Sequence, residues 1–246
     1  MPRFAAIDVG SNAMRLRGGE GSGPSDGREV PSERAAIRLG HDVFLTGRLT
    51  QSAIFEASEA LKRFRDVMKA SGVDAYRAVA TSAVREAQNA ELLVERASRE
   101  AGVKLEVIEG VEEARLVLLA VMRAVKVASR RALLIDIGGG SVEFTVVAGS
   151  TPRVSVSLPL GTVRLHEAFL HSEEPVNGER RALLTEYIER LLGEVRLLGG
   201  PRPDVVVATG GNCDAIASLA SAATDDGLGI DVPRMTAIRD EMASLT

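Results

Sequence analysis

Two aspartates, Asp8 and Asp136, stand near the ends of strongly apolar runs, Phe4–Val9 and Ala132–Ile137, each just ahead of a glycine turn. A carboxylate in such a place is costly unless it is hydrogen-bonded, paired or bound to a cation, and hard oxygen donors suit a hydrated magnesium ion. The turns themselves, Gly10-Ser11-Asn12 and Gly138-Gly139-Gly140-Ser141, can bring successive backbone amides close to an anion. Glu143 lies two residues beyond Ser141, on the same side of an extended strand, where it can join a metal shell. Two readings of the aspartates stay open. Either they hold magnesium, or each hydrogen-bonds the amides of its own turn, as aspartates before glycine commonly do.

Three further groups have chemistry to offer. Glu112 and Glu113 follow Gly110 at a helix entry, where acidic residues also favour the positive end of the helix dipole without any catalytic role. Arg85 sits in the hydroxyl-rich Thr81-Ser82-Ala83-Val84-Arg85, placed either to clamp a phosphate or to make a surface ion pair. Thr209-Gly210-Gly211 forms a third glycine turn, and Cys213 follows it at a helix start. That position favours a thiolate, but with no histidine nearby in sequence Cys213 reads as a small packed residue. The triple glycine has neither the dinucleotide-binding spacing nor the Gly-Lys-Ser/Thr of a nucleotide P-loop, and taken alone it is equally read as a sharp hairpin.

The elements that must carry these residues alternate. After the first strand and turn, Gly18–Ser32 is rich in Gly, Pro, Ser and charge and reads as a long surface loop or hairpin connection. Ile54, Ala57, Leu61, Phe64 and Met68 step by three and four, predicting a helix over Gln51–Ser71 that stops at Gly72. A strand over Tyr76–Thr81, a helix over Ala90–Ala101, a strand over Lys104–Glu109 and a helix over Glu112–Val127 follow. The second half restarts with the Ala132–Ile137 strand, hairpin strands over Val142–Ala148 and Arg153–Leu158, and a helical stripe at Leu184, Ile188, Leu191, Val195 and Leu198. A strand over Asp204–Ala208 and a last helix over Pro233–Leu245 complete it. The recurrence of Ile7-Asp8-Val9-Gly10-Ser11 as Ile135-Asp136-Ile137-Gly138-Gly139 either arises by chance, as strand-and-turn units can in any α/β chain, or marks a duplicated α/β protein of two domains, 1–125 and 126–246, with a ligand cleft between them.

Composition narrows the classes. The 246 residues carry a net charge of -4, with 45% hydrophobic and only 3% aromatic side chains, which excludes disorder and gives neither a basic field nor stacking rings for DNA. One cysteine permits no internal disulfide and three scattered histidines give no zinc spacing, which fits a reducing cytoplasm. Met1–Asp8 lacks the regions of a secretory signal, and the apolar stretch Leu116–Ala128 is interrupted by Arg123 and Lys126, so no membrane span is expected. Of 30 basic residues only Lys62, Lys69, Lys104 and Lys126 are lysines, a bias that suits anion recognition but reads first as genome composition.

Taken together, IDVGSNAMRL (7–16), AVATSAVREAQN (78–89), VIEGVEEARL (107–116), LLIDIGGGSVEF (133–144), SLPLGTVRL (157–165) and ATGGN (208–212) resemble the exopolyphosphatase and guanosine pentaphosphate phosphohydrolase family in order and spacing. The resemblance implies two actin-like (ribonuclease H-like) domains and a magnesium-dependent hydrolase that removes the terminal phosphate of polyphosphate, with guanosine pentaphosphate as a secondary substrate. Glu113 is implied as the general base. Asp8, Asp136 and Glu143 would hold magnesium; Arg15 and Arg85 would grip phosphate; and Ser11, Asn12, Gly139, Gly140, Ser141, Gly210 and Gly211 would cradle the remaining phosphoryl groups. Family members continue past the third glycine turn, which implies a second domain incomplete at its C-terminus, and the resemblance leaves room for a homodimer. Ala13 stands where the family commonly has Ser, and Asn212 where it commonly has Thr. A non-catalytic sensor of guanosine penta- or tetraphosphate on the same fold is the alternative from a different class.

Overall fold

The computed structural model describes residues 1–21, 29–125, 130–149, 151–170, 177–196, 200–224 and 227–244. They form two units, Met1–Glu109 and Gly110–Thr246. The division falls ahead of the helix that the sequence reading had placed at the end of the first domain, because that helix packs on the second sheet.

In the first unit, β1 (Arg3–Val9), β2 (Met14–Glu20) and β3 (Glu29–Ala35) are antiparallel neighbours, while β4 (Ala75–Ala80) and β5 (Leu105–Val107) add in parallel on the other side of β1, giving the order β3-β2-β1-β4-β5. Strand alternation sends Ala5, Ile7, Val9, Met14 and Leu16 into one core. Four helices, α1 (Leu39–Thr46), α2 (Gln51–Ala70), α3 (Ser82–Glu86) and α4 (Ala90–Arg96), contribute to it, and α4 runs on into a π-helical turn, Ala97–Ala101. The predicted stripe of α2 is the one buried: Ile54, Ala57, Leu61, Phe64 and Met68 all lie in this core. Thr50 caps that helix by accepting from the Ala53 amide at 3.2 Å. The glycine-rich Gly18–Ser32 is strand at both ends, its residues 22–28 lying outside the described residues.

The second unit opens with α5 (Gly110–Ala124), then β6 (Arg131–Ile137), β7 (Val142–Ala148) and β8 (Thr151–Leu158). A short helix, α6 (Thr162–Leu165), continues as a π-helical turn, His166–Leu170, and α7 (Gly178–Arg196), β9 (Val205–Thr209) and α8 (Gly211–Leu219) follow. A small hairpin, β10 (Ser221–Thr224) and β11 (Gly227–Ile230), precedes α9 (Val232–Ser244). The sheet order β8-β7-β6-β9 repeats β3-β2-β1-β4 of the first unit, strand for strand and with the same antiparallel and parallel pairings. Leu118 and Val121 of α5 pack with Ala132, Leu134 and Val147 on one face of this sheet, while Tyr187, Ile188 and Leu191 of α7 pack against Val142, Phe144 and Leu158 on the other. Cover on both faces explains why β7 is buried almost end to end. Val127, Leu198 and Leu245, which the sequence reading placed on helices, lie outside the described residues.

Candidate functional site

Both glycine turns close in the same way. Gly10 N–H donates to Ala13 O at 3.2 Å, and Gly138 N–H donates to Ser141 O at 3.0 Å, so each strand doubles back at once into its antiparallel partner. That turn length fixes the register. Opposite Asp8 on β2 stands Arg15, and opposite Asp136 on β7 stands Glu143. Extending each line across its sheet gives Arg34, Arg15, Asp8, Val79 and Glu106 in the first unit, and Ser157, Glu143, Asp136 and Thr209 in the second. The two lines occupy equivalent places on equivalent strands, yet an arginine faces the aspartate in one and a glutamate faces it in the other.

In the first unit, Asp8 and Arg15 form a loose ion pair, Oδ2 to Nη1 3.9 Å, both side chains nearly half exposed. The buried Ser11 hydroxyl accepts from the amide of Ala83 at 3.2 Å, and the Ser11 carbonyl accepts from Gly40 N–H at 2.8 Å. The first turn is thereby tied to α3, the short helix that carries Arg85. Arg85 Nη1 donates to the carbonyl of Ile108 at 2.8 Å, which orients its half-buried side chain. Asn12 is exposed at the tip of the turn. Asp8, Ser11, Arg15 and Arg85 are thus positioned by connected elements of a single unit.

In the second unit, Glu143 is only 2% exposed, and its Oε1 accepts from Ser157 Oγ at 2.7 Å. Asp136 Oδ1 accepts from Thr209 Oγ1 at 2.5 Å, so the partner of this oxygen is a hydroxyl on the neighbouring strand and not an amide of its own turn. Two carboxylates directly opposed on adjacent strands repel, and burial of one raises the cost, which a cation relieves. Among the described residues no three His, Cys, Asp or Glu side chains converge as direct metal ligands. A pair of oxygen donors without a third fits magnesium, which keeps several waters and binds through one or two carboxylates. The first residue of α5, Gly110, lies against this pair: a β-carbon there would sit 3.0 Å from Ser157 Cβ and 4.0 Å from Glu143 Oε1. Glu113 therefore occupies the first turn of a helix that begins beside Glu143, half-buried, while its neighbour Glu112 is taken by Arg115 at 2.6 Å.

The triple-glycine loop is buttressed from two sides. Thr162 N–H donates to Gly138 O at 3.1 Å, Val163 N–H to Gly139 O at 2.8 Å, and Arg164 Nε to Gly140 O at 2.7 Å, so the loop carbonyls face α6. Gly161 approaches so closely that a β-carbon would lie 2.2 Å from the Gly140 carbonyl carbon. On the other side, Gly210, at φ 107°, packs on the backbone of Ile137, with 2.3 Å between a built β-carbon and the Ile137 oxygen. Asn212 Nδ2 donates to Thr162 Oγ1 at 3.1 Å, linking the third turn to α6. Gly139, Gly140, Ser141, Gly210 and Gly211 are thus brought together. Cys213 is buried, its thiol donating to Thr209 O at 3.1 Å; burial first, then the charges of Asp136 and Asp214, pushes its pKa up. The packed reading of Cys213 holds, and the helix start does not produce a thiolate.

The sequence reading missed Ser157, Thr209, Gly161, Arg164 and Arg34. Ser157 and Thr209 stood in quoted motifs, but their partners are set by strand register, which a single sequence does not display.

A model of the Ppx/GppA phosphatase family matches residues 25–246. Exopolyphosphatase 1 of Mycobacterium leprae is 35% identical over 230 residues, covering 90% of this chain and 66% of that protein, so the chain spans about two thirds of that relative's length. The crystal structure of an exopolyphosphatase from Cytophaga hutchinsonii superimposes with a TM-score of 0.86 at 27% identity, covering 98% of this chain and 80% of that one. The Ppx/GppA family member of Aquifex aeolicus gives 0.77 at 28%, covering 99% and 79%. Two sheets of repeated order, each led by an aspartate and a glycine turn, agree with these likenesses, and the chain belongs to the Ppx/GppA phosphatase family.

Proposed function

We propose that this chain hydrolyses the terminal phosphoanhydride of inorganic polyphosphate, releasing orthophosphate, and acts on guanosine pentaphosphate as a second substrate. The observation that carries this reading is the Asp136–Glu143 pair, held by the hydroxyls of Thr209 and Ser157 at the mouth of a loop whose carbonyls are turned away. Asp136 and Glu143, with Asp8, would hold magnesium. When bound, the ion supplies charge neutralisation for the phosphoryl oxygens. Arg15 and Arg85 grip phosphate, and the turns at Ser11, Asn12, Gly139, Gly140, Ser141, Gly210 and Gly211 offer amides and hydroxyls to the other phosphoryl groups. Glu113 orients the attacking water and accepts its proton as the bond to phosphorus forms and the anhydride oxygen departs. Exopolyphosphatase relatives support this assignment.

Phosphate release from long polyphosphate, guanosine pentaphosphate and ATP, each with and without magnesium, tests the reading. Glu113→Gln is expected to keep the fold and lose about 10²–10⁴-fold in turnover. Unchanged release would remove Glu113 from the chemistry. Tight guanosine nucleotide binding with no release from any substrate would replace the hydrolase by a sensor.

A further inference from the structure

One feature of the first unit has no counterpart in the second. Arg34 of β3 is the in-register partner of Arg15 on β2, which is itself the partner of Asp8 on β1. Directly opposed residues on antiparallel strands share a face with β-carbons about 4.5–5.5 Å apart, and like charges so placed destabilise the sheet. Both guanidinium groups are exposed, and a sheet face is the place where such repulsion is relieved by an anion from solution. Asp8 does not cancel it, since its one carboxylate stands 3.9 Å from Arg15 on the side away from β3. Arg34 makes no hydrogen bond or ion pair among the described residues. Arg77, on the same face opposite Ala6, is the useful contrast: Glu106 Oε2 accepts from its Nε at 3.2 Å and its Nη2 at 3.1 Å. Of the outward arginines, Arg77 is thus paired within the sheet, Arg17 lies two residues along β2 from Arg15 on the same face, and Arg15 and Arg34 alone stand directly opposed across two strands.

We propose that Arg34 and Arg15 together seat one phosphoryl group of the polyphosphate chain, which makes Arg34 a substrate-binding residue. The assignment rests on the hydrolytic reading above for the identity of the anion, but the seat itself rests on strand register. Two planar forks offer paired N–H donors to a tetrahedral oxyanion, a geometry that an ammonium group does not reproduce. The seat takes a phosphoryl group by charge and hydrogen bonding alone.

Calorimetric titration of the whole protein with tripolyphosphate, without magnesium, reads the seat independently of turnover. Arg34→Ala is expected to weaken binding roughly tenfold, the worth of a charge-assisted contact. Arg34→Gln, which keeps a long polar stem, should lose as much; Arg34→Lys should recover only part; and Arg77→Ala should bind as the unaltered protein does. With polyphosphate as substrate, KM should rise for Arg34→Ala while kcat holds. Wild-type affinity in Arg34→Ala or Arg34→Gln, or no tripolyphosphate binding by the unaltered protein, overturns the seat. Binding that depends on Arg34 in a protein that releases no orthophosphate upholds the seat and overturns the hydrolytic reading.

Discussion

A hydroxyl that grips one oxygen of a carboxylate decides which way the other oxygen faces, and Thr209 and Ser157 each do this for one member of the Asp136–Glu143 pair. If the pair holds magnesium, the hydroxyls matter as the supporting layer around the ion. Thr209→Val is expected to weaken magnesium binding about 10–100-fold, with Thr209→Ser near the original value; titration of the ion into all three proteins checks this, and equal affinities would detach Thr209 from the ion. Cys213 makes a second prediction at this scale. Its thiol is raised by burial above the ordinary thiol range, so the folded state favours the protonated form. Stability associated with the protonated thiol is whole below the unfolded-state pKa and is lost as pH rises through the raised folded value. A thiol reagent should accordingly react slowly at neutral pH and gain speed only at more alkaline pH than it does with a free cysteine; rapid reaction at pH 7 would contradict the packed setting. Asp8, Asp136 and Glu143 were legible in the sequence because each stands beside a turn with its own signature. Arg34 and Ser157 were not, since each meets its partner only through pairing with a strand whose register no local pattern announces.

Elements vary in how openly the sequence declares them. The 20-residue α2 has five apolar positions on one face and a threonine cap, and its predicted span agrees with the observed one to a residue. The short helices α1, α3 and α6 escaped notice, because a helix of 4 to 8 residues completes too few turns for its period to emerge. Yet α6 does more for the triple-glycine loop than any longer helix: its opening amides bond the loop carbonyls, and Gly161 leaves no room for a side chain against Gly140. Gly161→Ala should therefore shift the loop and lower stability by about 1–3 kcal/mol, read from the urea midpoint, with phosphate release falling more than the population of folded protein does. Full release in a stable Gly161→Ala protein would show that the loop works without this contact.

At the scale of the whole chain, the repeat of Ile-Asp-apolar-Gly announced two like sheets, and the strand order bears this out. The point of division was harder to read, because α5 follows β5 in sequence while its Leu118 and Val121 belong to the core of the second sheet. Among the described residues no helix is long and apolar enough to cross a membrane. The paired sheets also separate two properties that proteins usually change together. Equivalent turns place equivalent positions opposite their aspartates, and the fold accepts an arginine at one and a glutamate at the other. The backbone is thus a fixed blank into which either letter can be written, so a lineage carrying this hairpin can change the charge that faces the aspartate by replacing one side chain, without redrawing a strand.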